Sequence, residues 1–333
     1  MAHDHEHGPG SGGHSHGVSG DADRRWLGIA LVLIVAFMAV EVLIGLLAHS
    51  LALLSDAAHM LTDAASIILA LIAMRLAARP PKGGYTYGLK RAEILSAQAN
   101  GLTLLILSGW LSFEAIRRLI TPPQVAGGLV LATAIVGIAV NLAAAWSISK
   151  ANRASLNVEG AFQHILTDLY GFIATAVAGT VVLTTGFTRA DALASLVVVA
   201  LMVKAGLGLV GESGRILLEA APAGLDPNII GDRLAAVPTV VEVHDLHIWQ
   251  ITSGQPALSA HVLVEAGGDC HALRRTLEQL LGHDHHITHT TLQVDHATEQ
   301  VLTMGPDSPQ AGDADPHCGD PHGPAHRRED HVH

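Results

Sequence analysis

Two pairs of residues in this chain could do chemistry if the fold brought them together. His59 and Asp63 stand four apart, and so do His164 and Asp168, so the spelling His-x-x-x-Asp occurs twice. Each pair sits inside an apolar run, where an ionisable side chain costs about 2.5–3.5 kcal/mol if the run crosses a membrane. On a helix, positions i and i+4 share one face. Two imidazoles and two carboxylates make a tetrahedral set that suits Zn²⁺, an ion with no ligand-field geometry to satisfy. The two carboxylates also neutralise a divalent charge in a poorly solvated place. Imidazole binds metal only when neutral, so metal and proton compete for one nitrogen, and the unperturbed histidine pKa of about 6.5 puts that competition near neutral pH. A lone His or Asp on a membrane helix is explained as well by an interhelical hydrogen bond. Two matched pairs fit that explanation poorly. Asp56 shares the face of His59 and Asp63, where it shapes access or meets another polar group.

A second group of candidates lies between 244 and 296. His244, His247, His261, His289, Asp295 and His296 fall on or beside runs that read as strands. His244 and His247 differ in parity, so alternation along a strand sends them to opposite faces. His289 precedes Asp295 by six and can complete a site with His244 and His261. A solvated surface histidine is the competing explanation for each, and for His283, His285 and His286 in a turn it is the better one. More histidines crowd the N-terminus (His3, His5, His7, His14, His16), and Cys318 has His317 and His322 near it. These segments read as a metal-gathering arm or as low-complexity solubilising sequence.

The elements that must position these groups follow from composition. Of 333 residues, 49% are hydrophobic and 15% charged, against about 25% charged in soluble domains. Apolar runs at 26–48, 51–77, 92–116, 127–148, 160–184 and 190–212 are each long enough, at roughly 20 residues, to span a bilayer as a helix. We therefore expect a membrane α-helical protein with six transmembrane helices. With the N-terminus inside, nine Lys/Arg flank the cytoplasmic ends and three the opposite ends, so both termini are expected in the cytoplasm. Helices two and five then run antiparallel and can turn their polar faces towards each other.

From 213 the composition becomes that of a soluble domain. Residues 226–237 read as a helix, 240–249 and 257–265 as strands, 270–281 as a helix and 287–295 as a strand, a small α+β unit of order α-β-β-α-β. The expected organisation is a His-rich disordered arm (1–23), a six-helix membrane domain (24–212), a cytoplasmic domain (213–300) and a disordered His/Asp-rich tail (301–333). A net charge of −11 argues against nucleic acid as a partner. Two cysteines exclude a multi-disulfide scaffold and an all-cysteine zinc site within one chain. No His-Glu-x-x-His or nucleophile elbow is present, so an enzyme is not expected; a metal-dependent phosphohydrolase built on His244-Asp245 and His283-Asp284 would need helices where 240–296 reads as strands.

The stretches Glu41-Val42-Leu43, Ser50 to Asp63, Tyr85 to Leu95 and Asn157 to His164 with Asp168 resemble the cation diffusion facilitator family, and the His-Asp pairing resembles its zinc-transporting branch. The resemblance covers about residues 24–296. It implies a homodimer in the lipid bilayer, six helices per subunit and a metallochaperone-like cytoplasmic domain. It implies export of divalent metal from the cytoplasm by proton antiport with alternating access, through His59, Asp63, His164 and Asp168. By the same resemblance His244, His261 and Asp295 match cytoplasmic metal ligands that sense zinc and hold the two domains together. Two family features are missing: the loop Arg79–Tyr87 lacks the Asp and His of a further metal site, and Ser149–Val158 lacks a His-rich insert. Export of Cd²⁺, Co²⁺ or Ni²⁺ stays open, as does a membrane-anchored metal sensor without transport. High Ala and Gly with few Lys points to a bacterial inner membrane.

Overall fold

The computed structural model describes residues 20–47, 51–121, 127–153, 155–187, 189–297 and 323–327, and the side chains of 51–59 lie outside the description. Six long helices come first: α1 (Gly20–Leu47), α2 (Leu51–Ala77), α3 (Ala92–Ile120), α4 (Gly127–Ile148), α5 (Leu156–Thr185) and α6 (Ala190–Leu217). They pack chiefly as α1 on α2, α4 on α5 and α3 on α6, with α2 crossing α5. The crossing of α3 and α6 depends on two glycines. A Cβ at Gly101 would lie 3.0 Å from Leu209 Cβ, and one at Gly206 would lie 3.0 Å from the Gly101 carbonyl oxygen. Small residues let membrane helices approach to backbone contact.

The span count differs from expectation. Among the described residues five helices, not six, are long and apolar enough to cross a membrane: Asp23–Leu43, Ala92–Ile120, Leu131–Ile148, Leu156–Thr185 and Ala192–Leu217. The exception is α2. It carries Asp56, His59, Asp63 and Arg75 along its length, and part of it falls outside the described side chains.

After α6 the chain forms α7 (Pro227–Ala235), β1 (Val240–Gln250), β2 (Pro256–Val264), α8 (Cys270–Asp284), β3 (His289–His296) and β4 (His326–Arg327). Asp226 caps α7 by accepting from Asn228 N, with Pro at the first helical position; Asp269 caps α8 by accepting from Ala272 N. Both are the side-chain oxygens that helix starts favour. The sheet order is β3-β2-β1-β4. β1 and β2 pair antiparallel through a short turn, whereas β2 and β3 are parallel because α8 carries the chain back. Leu258, Leu277, Leu281, Ile230 and Leu234 fill the core between sheet and helices. The α-β-β-α-β order matches the sequence reading, and the sheet is mixed.

Strand β4 departs from it. Residues 301–333 were expected to be disordered, yet His326 and Arg327 pair with Val243 and Glu242 on the outer edge of β1. Side-chain partners on α7 and β1 supply what the apolar-poor tail lacks.

The C-terminal unit touches the long helices through the β1–β2 turn. Lys90 Nζ donates to Gln255 Oε1 (2.7 Å), Thr252 Oγ1 to the Lys90 carbonyl (3.3 Å), and Leu156 N to Ser253 Oγ (3.2 Å). Nearby, Arg91 pairs with Glu219 just beyond α6 (2.9 Å).

Candidate metal centre

The crossing of α2 and α5 brings Asp63, His164 and Asp168 together, with one ligand atom from each within 4.8 Å of the others. Asp63 and His164 are 4% and 2% exposed, and Asp168 is partly buried. His164 Nε2 lies 2.6 Å from Asp63 Oδ1. The helical period puts His164 and Asp168 on one face of α5. The α2–α5 contact is pinned below them where Asn157 Nδ2 donates to the Ala70 carbonyl (2.9 Å). His59 stands on α2 one turn before Asp63; its side chain, like that of Asp56, lies outside the described residues.

The surroundings of the triad are asymmetric. Towards the cytoplasmic domain, Ile67, Ala70, Met74, Val158, Ala161 and Ile165 belong to one buried apolar cluster. On the other side a cavity of about 190 Å³ is lined by Asp63, Asp168, Asn141, Thr175 and Ser195 among others. Thr175 is seven residues beyond Asp168, about 10 Å along the helix, and Ser195 is near the start of α6, whose far end leads into the cytoplasmic domain. The cavity therefore extends from the triad towards the membrane face opposite that domain. Asn141, 2% exposed, donates its amide to the Gly137 carbonyl on its own helix (3.1 Å). Glu114, near the end of α3, pairs with Arg118 (3.0 Å).

Chemically, the triad offers imidazole nitrogen and two carboxylates, with Asp63 and His164 buried and Asp168 at the cavity wall. The His164–Asp63 contact lies at the ring nitrogen a metal ion would take, and a donor set of this kind has the chemistry to hold a divalent cation or protons in turn.

The cytoplasmic candidates separate into two places. His244 and His261 face each other across β1 and β2, with ring centroids 5.5 Å apart. His244 Nδ1 is 3.1 Å from Glu242 Oε1. That contact, with the Arg327 guanidinium, holds the Glu242 carboxyl below the ordinary carboxylate range against the opposing effect of burial. Between His244 and His247 the β1 register slips, and Asp245 takes a φ of 52°. The bulge overrides the parity argument. Asp245 sits between two imidazoles, 3.0 Å from His247 Nε2 and 3.9 Å from His261 Nε2. The sequence reading passed over Asp245 as a partner here, because nothing in His-Asp-Leu-His announces a bulge.

His289 and Asp295 do not join one site with each other. On β3 they stand across from Ala257 and Leu263, about 20 Å apart at a strand's rise per residue. His289 packs against the Tyr87 ring, centroids 5.9 Å apart, and Asp295 accepts from Gln293 Nε2 (2.8 Å). Across from His261 is Gln293.

Comparison with known proteins bears on both halves of the chain. A family described as cation efflux transmembrane domain matches residues 27–218, and one described as cation efflux protein, cytoplasmic domain, matches 222–297. The chain is 37% identical over 288 residues to a cadmium, cobalt and zinc/H(+)-K(+) antiporter of Bacillus subtilis (strain 168), covering 85% of this chain and 92% of that protein. It is 35% identical over 298 residues to zinc transporter ZitB of Escherichia coli (strain K12), 89% of this chain and 93% of that one. It is 35% identical over 286 residues to the metal cation efflux system protein CzcD of Cupriavidus metallidurans, 86% and 90% respectively.

Proposed function

The chain belongs to the cation diffusion facilitator family, and on that premise we propose that it exports Zn²⁺ from the cytoplasm in exchange for protons. Metal efflux through a membrane domain is the family's activity; the choice of zinc, the proton coupling and the site residues are the proposal. The observation that carries it is the buried Asp63–His164–Asp168 cluster at the inner end of a one-sided cavity.

The proposed transport site is His59, Asp63, His164 and Asp168. Metal enters from the cytoplasm when the site is deprotonated, and the helices then exchange the apolar seal for the cavity. At the other face protons take the imidazole nitrogen and the carboxylates, and the ion leaves. The arrangement described above corresponds to the release side of that cycle, since its cavity points away from the cytoplasmic domain. We further propose a homodimer in a bacterial inner membrane with both termini cytoplasmic, and a regulatory Zn²⁺ site that uses His244 and His261.

The test is zinc uptake into proteoliposomes holding the intact protein, with and without an imposed pH gradient. Flux should follow the gradient, and flux indifferent to it would remove the antiport. A broader substrate range is the second reading, since the Bacillus subtilis relative is named for cadmium and cobalt as well as zinc. Competition of Cd²⁺ and Co²⁺ against zinc flux separates the two.

A further inference from the structure

Strand β4 binds the cytoplasmic domain through contacts that do not depend on the transport site. His326 is 6% exposed, and its Nδ1 lies 2.7 Å from Asp232 Oδ1 on α7. Arg327 Nε donates to Glu242 Oε2 at 2.6 Å. The backbone of both residues continues the sheet. The fourth observation is Gly231, buried in the middle of α7. Glycine is a poor helix former, and neither a positive φ nor a turn calls for it there. A Cβ at Gly231 would overlap the His326 ring. The glycine thus makes a notch that the imidazole fills, beside the Asp232 carboxylate on the same helix.

We propose that the C-terminal tail is a built-in ligand of the cytoplasmic domain, docking through His326 and Arg327 as a cis-acting strap that covers the outer edge of β1 at Glu242 and Val243. An uncovered edge strand presents unpaired N–H and C=O groups to any other chain. In this sheet β3 closes the far side of β2, so the outer side of β1 is an open edge without the strap. The strap also reaches towards the candidate cytoplasmic ligands: the Glu242 carboxylate gives one oxygen to Arg327 and the other to His244.

Gly231→Ala tests this cleanly, because alanine favours α7 while excluding the His326 ring. His326→Ala is the companion variant, since it alters only the tail and leaves the domain's own packing intact. Hydrogen exchange is measured by mass spectrometry on the full-length protein. We expect the amides of 323–327 and of Glu242–Val243 to exchange about tenfold faster or more in both variants, with α7 itself still protected. Should Gly231→Ala lose protection in α7 as well, His326→Ala decides alone. Unchanged exchange at 323–327 in His326→Ala overturns the docking. Light scattering reads the second half: both variants should form concentration-dependent species larger than the wild-type assembly. A released tail with unchanged assembly size would overturn the shielding role.

Discussion

The membrane cluster and the cytoplasmic cluster use the same side chains under opposite conditions. Asp63, His164 and Asp168 meet where two helices cross, with Asp63 and His164 almost without solvent. His244, Asp245, His247 and His261 meet on two strands, and His247 and His261 keep contact with water. In the first, a bare carboxylate is so costly that a cation or proton must accompany it at every moment. In the second, water can replace the partners of His247 and His261 at little cost, while His244 is buried. The proposed exchange of metal for proton fits the first condition. Sensing suits the second, because occupancy there can follow cytoplasmic metal concentration without stranding a charge.

Four experiments would break or sharpen this contrast. The largest effect is expected at the membrane cluster: Asp63→Ala and Asp168→Ala should each reduce zinc flux in proteoliposomes to background. Flux retained in both would dissolve the distinction. Next comes His59→Asp, which should keep flux but relax discrimination towards Cd²⁺, read from competition assays; an unchanged zinc preference removes His59 from the site. Smaller again is His261→Ala. It should weaken zinc binding to the cytoplasmic domain, measured calorimetrically on the intact protein, by roughly 10- to 100-fold as expected for loss of a ligand or its close partner. Equal binding before and after would take His261 out of that cluster.

The smallest concerns Asp269, whose carboxyl is held below the usual aspartate range chiefly by the Ala272 backbone N–H. Its folded pKa is depressed. The capping contribution is therefore present above the unfolded value of about 4 and fades as pH falls through the folded one. Asp269→Asn keeps a cap and should flatten that acid limb in thermal unfolding, and an unaltered limb would mean that other carboxylates govern it.

How much of this was legible in the sequence depends on which periodicity held. The cluster of Asp63, His164 and Asp168 was readable because a helix repeats without interruption, so a spacing of four puts His164 and Asp168 on one face. The α-β-β-α-β order was readable in the same way, from alternation in the strands and the apolar spacing of the two helices. Asp245 was not, since a bulge breaks the period of two and no residue type compels it. The separation of His289 from Asp295 was implicit in the strand reading of 287–295, since six residues at a strand's rise set them about 20 Å apart. β4 was invisible because its residues are held by Asp232 and Glu242, 94 and 85 positions away. A local window of Gly, Pro and His carries no trace of them.

The β1–β2 turn has a mechanical consequence. A body joined to another at one point can swivel freely, whereas a second attachment leaves it a single hinge line. The cytoplasmic domain is held covalently after α6, beside the Arg91–Glu219 pair, and again where Ser253 and Gln255 meet Leu156 and Lys90. Leu156 begins the helix that carries His164 and Asp168. A displacement of the start of α5 is therefore passed to the domain at Ser253 and swings it about its covalent attachment after α6, and a swing of the domain about that attachment pulls on Leu156 in turn.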